Sequence, residues 1–193
     1  MKKLYFISIL LLVISIIACK KEEANNPEID DVVIDFSVET TDLTLIAAKD
    51  LFIDGEVLQD FEFVISHPNN DPNQHLVDIR VYDTKYQVLK QSTTYGFNIV
   101  KTKAKDEFIK PIDSDWNDNP QLLYTDFIDG ATAYQYGSAD IGDQYIAMRK
   151  KNSGGGYYYG WMKINISNNG NKLEVREYAF QKIADTPIKA GQK

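Results

Sequence analysis

Tyr157-Tyr158-Tyr159-Gly160-Trp161-Met162-Lys163-Ile164-Asn165-Ile166-Ser167 runs into Asn168-Asn169-Gly170-Asn171 and returns as Lys172-Leu173-Glu174-Val175-Arg176-Glu177-Tyr178-Ala179-Phe180. Aromatic and β-branched residues fill both arms, and the link is made of Asn and Gly, which tolerate positive φ. The stretch predicts a β-hairpin. In its second arm strict alternation puts Leu173, Val175 and Ala179 on one face and Glu174, Arg176 and Tyr178 on the other. In the first arm Tyr157, Tyr159 and Trp161 share a face, and the mid-strand position of Trp161 predicts core packing.

The same period extends outward. Val77, Ile79 and Val81 alternate with Asp78, Arg80 and Tyr82, and residues 32–38, 61–65, 95–100, 122–128 and 145–150 read alike. No stretch of twelve residues keeps a helical period; Ala47–Asp50 allows one helical turn at most. Short strands spaced by turn signals predict an all-β domain, a single antiparallel β-sandwich of jelly-roll type, over residues 31–193. Ser153-Gly154-Gly155-Gly156 lacks the Lys-Ser or Lys-Thr of a phosphate loop and reads as a hairpin loop.

The chain has 193 residues, 44% of them hydrophobic, enough for one sizeable core. It holds 21 Lys and Arg against 28 Asp and Glu, a net charge of −7. The cations are scattered, which speaks against a nucleic-acid partner. A single cysteine excludes a disulfide framework and any multi-cysteine metal site.

The first 18 residues have a different character. Lys2-Lys3 precede an apolar run from Leu4 to Ala18, broken only by Ser8 and Ser15, the pattern of a secretory signal peptide. The run ends Ile16-Ile17-Ala18-Cys19 and resembles the lipobox of bacterial lipoproteins. The resemblance implies cleavage after Ala18 and acylation of Cys19, more than one acyl chain being needed for a stable anchor. Residues 19–30, with Lys20-Lys21-Glu22-Glu23 and Pro27, read as a lipidated cysteine and a solvated tether. This stretch also resembles the lysine-then-acidic signal of some Gram-negative lipoproteins, which implies the outer membrane with the domain on the cell surface rather than the periplasmic face.

Further along, Asp140–Arg149, Tyr159-Gly160-Trp161, Glu177-Tyr178-Ala179-Phe180 and Pro187-Ile188-Lys189-Ala190-Gly191 follow in order. Together they resemble the C-terminal half of a group of uncharacterised secreted or surface-anchored bacterial proteins, over about 50 residues. The resemblance implies a β-sandwich and brings no catalytic residues. In such proteins a fuller acidic loop stands where this chain has Asp54-Gly55-Glu56-Val57-Leu58-Gln59-Asp60. Asp54, Glu56 and Asp60 are the candidate ligands that remain, too few for the six to eight oxygens of calcium without Asn or backbone donors. The expectation is a turn with solvated acids and no cofactor.

His67 and His75 bracket a polar loop that also holds Asp71, and the expectation is two exposed histidines. There is no Gly-x-Ser-x-Gly elbow, and the lipobox resemblance implies that Cys19 is committed to lipid. Trp116, in the Asp- and Asn-rich stretch 113–120, and Tyr134 and Tyr136, read as loop residues, are the candidate ligand contacts, since aromatic rings bind sugars and peptides by stacking. The reading is a membrane-anchored, non-catalytic module for a glycan or an envelope protein. Its alternatives are a glycan-directed hydrolase using two of the many carboxylates and a structural envelope component.

The anchor generates the first prediction. Cys19→Ser should shift the protein from the membrane to the soluble fraction of lysed cells. Retention of an uncleaved Cys19→Ser chain in the membrane would mean that the apolar run is a span.

Overall fold

The structure is a computed structural model that describes residues 29–193 apart from 41–45, 54–57, 72, 94–95, 97, 120, 130–131 and 138. Residues 1–28, on which the expected signal peptide, Cys19 and most of the expected tether fall, lie outside the described residues, as do Asp54 and Glu56.

The described chain is all-β. Its strands are β1 (Ile29–Glu39), β2 (Ala47–Leu51), β3 (Phe61–Ser66), β4 (His75–Val81), β5 (Tyr86–Ser92), β6 (Asn98–Val100), β7 (Thr102–Lys103) and β8 (Phe108–Ile109). They continue with β9 (Trp116–Asn117), β10 (Gln121–Asp129), β11 (Thr132–Gly137), β12 (Asp143–Lys151), β13 (Tyr157–Ser167), β14 (Lys172–Gln181) and β15 (Ile188–Lys189). The one helical segment described is a single 3-10 turn, Pro68–Asn70. Ala47–Asp50, read as one helical turn at most, belongs to the strand Ala47–Leu51 because β3 supplies a full antiparallel ladder for it.

The expected all-β class is present, with a different connectivity from two antiparallel sheets. Ten strands form one continuous path, β1-β14-β13-β12-β5-β6-β10-β4-β3-β2, with β11 added to β10, β7 to β12 and β9 to β5. The sheet is mixed, because β6 runs parallel to β10 at Ile99 and Leu122. It curls until its ends approach: Phe36 of β1 meets Phe63 of β3 edge-on at 5.4 Å, and the Lys49 ammonium of β2 lies 4.8 Å from the Phe36 ring. The concave face encloses the main core, where Phe61, Phe63, Ile65, Val77 and Ile79 from one half meet Met162, Ile164, Ile166, Leu173 and Val175 from the other.

The convex face of β12, β13 and β14 carries a second cluster. Tyr159, Trp161 and Ala179 are covered there by Ile109, Ile188 and Ala190, brought in by the β8–β15 ribbon. Trp161 is buried as its sequence position predicts, and its Nε1 donates to the Gln192 carbonyl at 3.2 Å.

The β13–β14 hairpin forms as predicted, with Asn168, Asn169 and Gly170 all at positive φ in the turn. The alternation in its second arm breaks once. The ladder shifts between Lys163–Glu177 and Ile164–Val175, so Arg176 is an extra residue. A bulge of this kind reverses the phase of the strand. Leu173 and Val175 therefore share the main core with Tyr178, while Ala179 joins the second cluster.

Asp78, half-buried in the ladder between Val64 and Leu122, is the costly carboxyl of this frame. Burial pushes its pKa up from 3.8 to about 6, with the Arg80 charge pulling the other way. A folded-state pKa above the unfolded one means that the protonated acid is the form the fold favours. Stability from this group is complete below the unfolded value and is lost as pH rises through about 6. Asp78→Asn should raise the unfolding free energy by ~1–3 kcal/mol at about pH 8 and leave it unchanged at about pH 3.5, as measured by urea unfolding. An equal gain at both pH values would contradict burial of the charge as the cause.

Candidate functional site

One end of the concave face is closed by a row of polar side chains that the sheet register lines up. Ser66 pairs with Leu76, so the next position in the β3–β4 hairpin sets His67 opposite His75. His75 in turn pairs with Asp126, and Asp126 with Gln135. The row crosses from the end of β3 through β4 and β10 to β11. The expectation of two exposed histidines is corrected here. Both are buried, 6% and 5% exposed, with their rings edge-to-face at 5.1 Å.

The hydrogen bonds run in one direction along this row. A carboxylate only accepts, so the contact of His75 Nδ1 with Asp126 Oδ1, at 2.9 Å, places the proton on Nδ1. The backbone N–H of His75 donates to the same oxygen at 2.6 Å. His75 Nε2 is then an acceptor, facing the Asn171 Nδ2 amide at 3.4 Å. Asn171 Nδ2 also donates to the Asn168 carbonyl at 2.9 Å, and Asn171 Oδ1 accepts from His67 Nε2 at 2.8 Å. His67 Nδ1 is left as a buried acceptor with no protein partner. The hairpin turn is thus locked over the core by Asn171, whose amide bridges the two imidazoles.

Asp126 has a second set of partners. The Tyr124 hydroxyl donates to its Oδ2 at 3.2 Å, and Gln135 Nε2 reaches the Tyr124 oxygen at 3.4 Å. Burial and the Asp126 charge both hold the Tyr124 pKa above its ordinary value, so the phenol stays a donor. The Asp126 side chain remains 29% exposed. It opens on a polar cleft of about 570 Å³ whose walls include Asn73, Gln135, Asn169 and Tyr134. Asn73 is presented by a tight turn in which Asp71 accepts from its N–H and Nδ2 and from Gln74 Nε2. These bonds, the Asn73 backbone bond foremost, hold the Asp71 pKa below the usual range. Asn169 is held by its N–H, which donates to Asp140 Oδ2 at 2.9 Å.

His75 and Asp126 have the relation of a general base to its orienting acid. The other imidazole nitrogen meets an amide, however, and not a hydroxyl or thiol that it could deprotonate. Among the described residues no group of three His, Cys, Asp or Glu side chains converges to hold a metal ion. The arrangement is suited to holding Asp126 in one orientation toward the cleft.

Of the residues singled out from sequence, Tyr134 lines this cleft, on the edge strand β11 rather than in a loop. Tyr136 is half-buried on the same strand, paired with Thr125, and does not line the cleft. Trp116 is not an exposed loop residue. It sits in β9 against Leu89 of β5, its Nε1 donates to the Asp113 carbonyl at 2.8 Å, and its ring packs 5.8 Å from Tyr159. The Arg149 guanidinium lies 4.8 Å from that ring, so Trp116 seals the edge of the second cluster. Asp60 is 1% exposed and accepts the Ile53 N–H at 2.6 Å, bracing the chain around the acidic stretch.

Sequence reasoning missed His67, His75, Asp126 and Asn171 as a unit. The signal was present, since residues that flank the loop of a β-hairpin stand opposite one another. The chain matches no protein-family model, no curated protein and no solved structure.

The turn that carries Asn171 has no room to spare. Gly170 has φ +89°, and a Cβ there would lie 2.8 Å from the Tyr124 ring and 3.1 Å from the His75 Cβ. Gly170→Ala should lower the unfolding free energy by ~1–3 kcal/mol, and by more than Asn169→Ala at the exposed neighbouring position. Chemical denaturation of the two variants tests this; equal losses would mean that the turn is not packed on the row.

Proposed function

We propose that this chain is a lipoprotein of the Gram-negative envelope, anchored through Cys19, whose β domain is a non-catalytic module that binds a neutral glycan in the cleft beside Asp126. The observation that carries this reading is the braced carboxylate among amides. Asp126 is fixed by three neighbouring donors, and Asn73, Gln135 and Asn169 surround it. A carboxylate with Asn and Gln amides offers the alternating acceptors and donors that vicinal hydroxyls need. A cleft of this size is in the range of small-ligand sites.

The hydrolase alternative is weaker because His75 Nε2 faces Asn171. The location that goes with the binding reading is the outer membrane, with the domain on the cell surface, as the Lys20–Glu23 stretch suggests. The two facing halves of the curled sheet then act as a sandwich with the ligand site at one end. Neither a cofactor nor a nucleic-acid partner is part of this reading.

A panel of immobilised neutral oligosaccharides, probed with the full chain, tests it. Binding to a subset is expected, and Gln135→Ala and Asn73→Ala should each weaken it about tenfold, the loss of one or two hydrogen bonds to ligand, with the thermal midpoint unchanged. Tyr134→Ala should weaken binding as well. Absence of binding across the panel, or binding that ignores Gln135 and Asn73, would overturn the reading.

A further inference from the structure

The polar row at the end of the concave face fits one state of its two imidazoles, the neutral one. His75 carries its proton on Nδ1, toward Asp126, which leaves Nε2 as its basic nitrogen. His67 carries its proton on Nε2, which donates to Asn171 Oδ1 at 2.8 Å, and Nδ1 remains.

A second proton has no matched position on either ring. On His75 it would sit on Nε2 and face the Asn171 Nδ2 amide at 3.4 Å, donor against donor. Turning the Asn171 amide over would set Oδ1 against the Asn168 carbonyl, to which Nδ2 donates at 2.9 Å, and Nδ2 against the His67 N–H. On His67 the proton would sit on Nδ1, which is buried and has no hydrogen-bond partner among the described residues. A buried donor left unpaired costs more than a hydrogen bond contributes.

The charge itself is provided for. Asp126, 2.9 Å from His75 Nδ1, is a counter-charge for an imidazolium there, while it already accepts from the His75 N–H, His75 Nδ1 and the Tyr124 hydroxyl. Asp71, in the turn before β4, acts on His75 by charge and is itself held by Asn73 and Gln74. Asp140 accepts from the Asn169 N–H, and β11 presents Tyr134 and the neutral Gln135. Glu39 and Lys172 stand opposite each other where β1 and β14 reach the turn, and Lys172 pairs with Glu174. The row therefore has a place for the positive charge and none for the second N–H.

Asn171 is also what ties the turn down. Its carbonyl accepts from the Thr40 N–H at 3.1 Å, and its side chain links the turn to both imidazoles. Gly170 lies against the Tyr124 ring and the His75 Cβ, so a shift of His75 is passed to the turn. Asn169, in the same turn, is a wall of the Asp126 cleft.

We infer that the row is an acid-sensitive latch on the 168–171 turn: a second proton on either imidazole breaks the Asn171 bridge, loosens the turn and withdraws Asn169 from the cleft. The latch stands on the row alone, and the release of a ligand at low pH rests on the glycan reading.

Hydrogen–deuterium exchange of the full chain in phosphatidylcholine vesicles tests it, read by mass spectrometry at about pH 7.5 and about pH 5.5, between which histidine changes charge. Exchange times are scaled for the intrinsic pH dependence of the amides. Peptides covering residues 167–173 should lose protection about tenfold at the lower pH, while peptides from β12 keep theirs. Asp78→Asn removes the carboxyl whose pKa of about 6 falls in the same range, and should leave the response of the turn in place. His67→Gln combined with His75→Asn keeps an amide N–H near the Nε2 and Nδ1 positions without an imidazole, and should hold the turn equally at both pH values. Equal protection of the native turn at the two pH values would overturn the latch. So would a loss that disappears with Asp78→Asn or persists in the double variant. Any oligosaccharide that binds at the higher pH should bind severalfold more weakly at the lower, and equal binding would overturn the withdrawal of Asn169. If none binds at either pH the glycan reading fails, and the exchange data still decide the latch.

Discussion

The β13–β14 hairpin is buried on both faces, and the rest of the architecture follows from that requirement. A strand pair with Met162, Ile164, Ile166, Leu173 and Val175 on one side and Tyr159, Trp161 and Ala179 on the other needs a partner layer on each side. The sheet supplies the first by curling until β3 and β4 face it. The C-terminal residues supply the second, with Ile188 and Ala190 pressed onto Trp161 and Gly191 at φ +78° beside the Tyr145 ring. A Cβ at Gly191 would stand 3.0 Å from the Tyr145 hydroxyl, so the chain can close over this face only with glycine at that point. The bulge at Arg176 reconciles the two demands, because it lets one strand deliver apolar residues to one layer and then to the other.

A sheet curled in this way leaves its core open at two ends, and the two are finished differently. At one, buried polar groups close the core, and nearly every donor and acceptor is used: Asp126, His75, Asn171 and His67 form a single directed series. Such a network costs little only when its members are paired, and a mispaired one is worse than an apolar plug. It therefore fixes the position of the β13–β14 turn more sharply than apolar contact would. At the other end no such closure stands among the described residues, and Tyr158, Tyr178 and Phe180 line a cup with Lys150 and Lys182.

Most of the strands were legible because period-two patterning reports burial on one face, and Val77, Ile79 and the hairpin at residues 157–180 have that pattern, interrupted in the hairpin only at the Arg176 bulge. The curl was not legible. Whether facing strands belong to two sheets or one depends on the bridging ladders of β5, β6 and β10, where β6 contributes only three residues. The candidate site was legible only in part. Tyr134, singled out by residue type, lines the cleft, but Trp116 was misplaced because an Asp- and Asn-rich surrounding suggests exposure, whereas Arg149 and Tyr159 cover its ring. The histidine row was not legible because the polar, proline-containing stretch 67–75 has the composition of a loop, whereas its two ends stand opposite one another in the β3–β4 hairpin. Asp126 and Asn171 come from distant strands, and no local signal joins them to it.

The course of β1 connects the two ends. Ile29, where the described chain begins, pairs with Gln181, next to Lys182 at the mouth of the aromatic cup. From Cys19 to Ile29 are ten residues, a span of at most about 35 Å. On the lipoprotein reading, Ile29 is thus the point at which the proposed anchor joins the sheet. The eleven residues of β1 then run the length of the sheet, roughly 35 Å at strand rise, to Glu39, which pairs with Lys172 beside the Asn168–Asn171 turn. The Asp126 cleft lies at that far end of the sheet. An aromatic opening at the Ile29 end and a polar cleft at the Glu39 end are thus what the curl of one sheet leaves at its two ends.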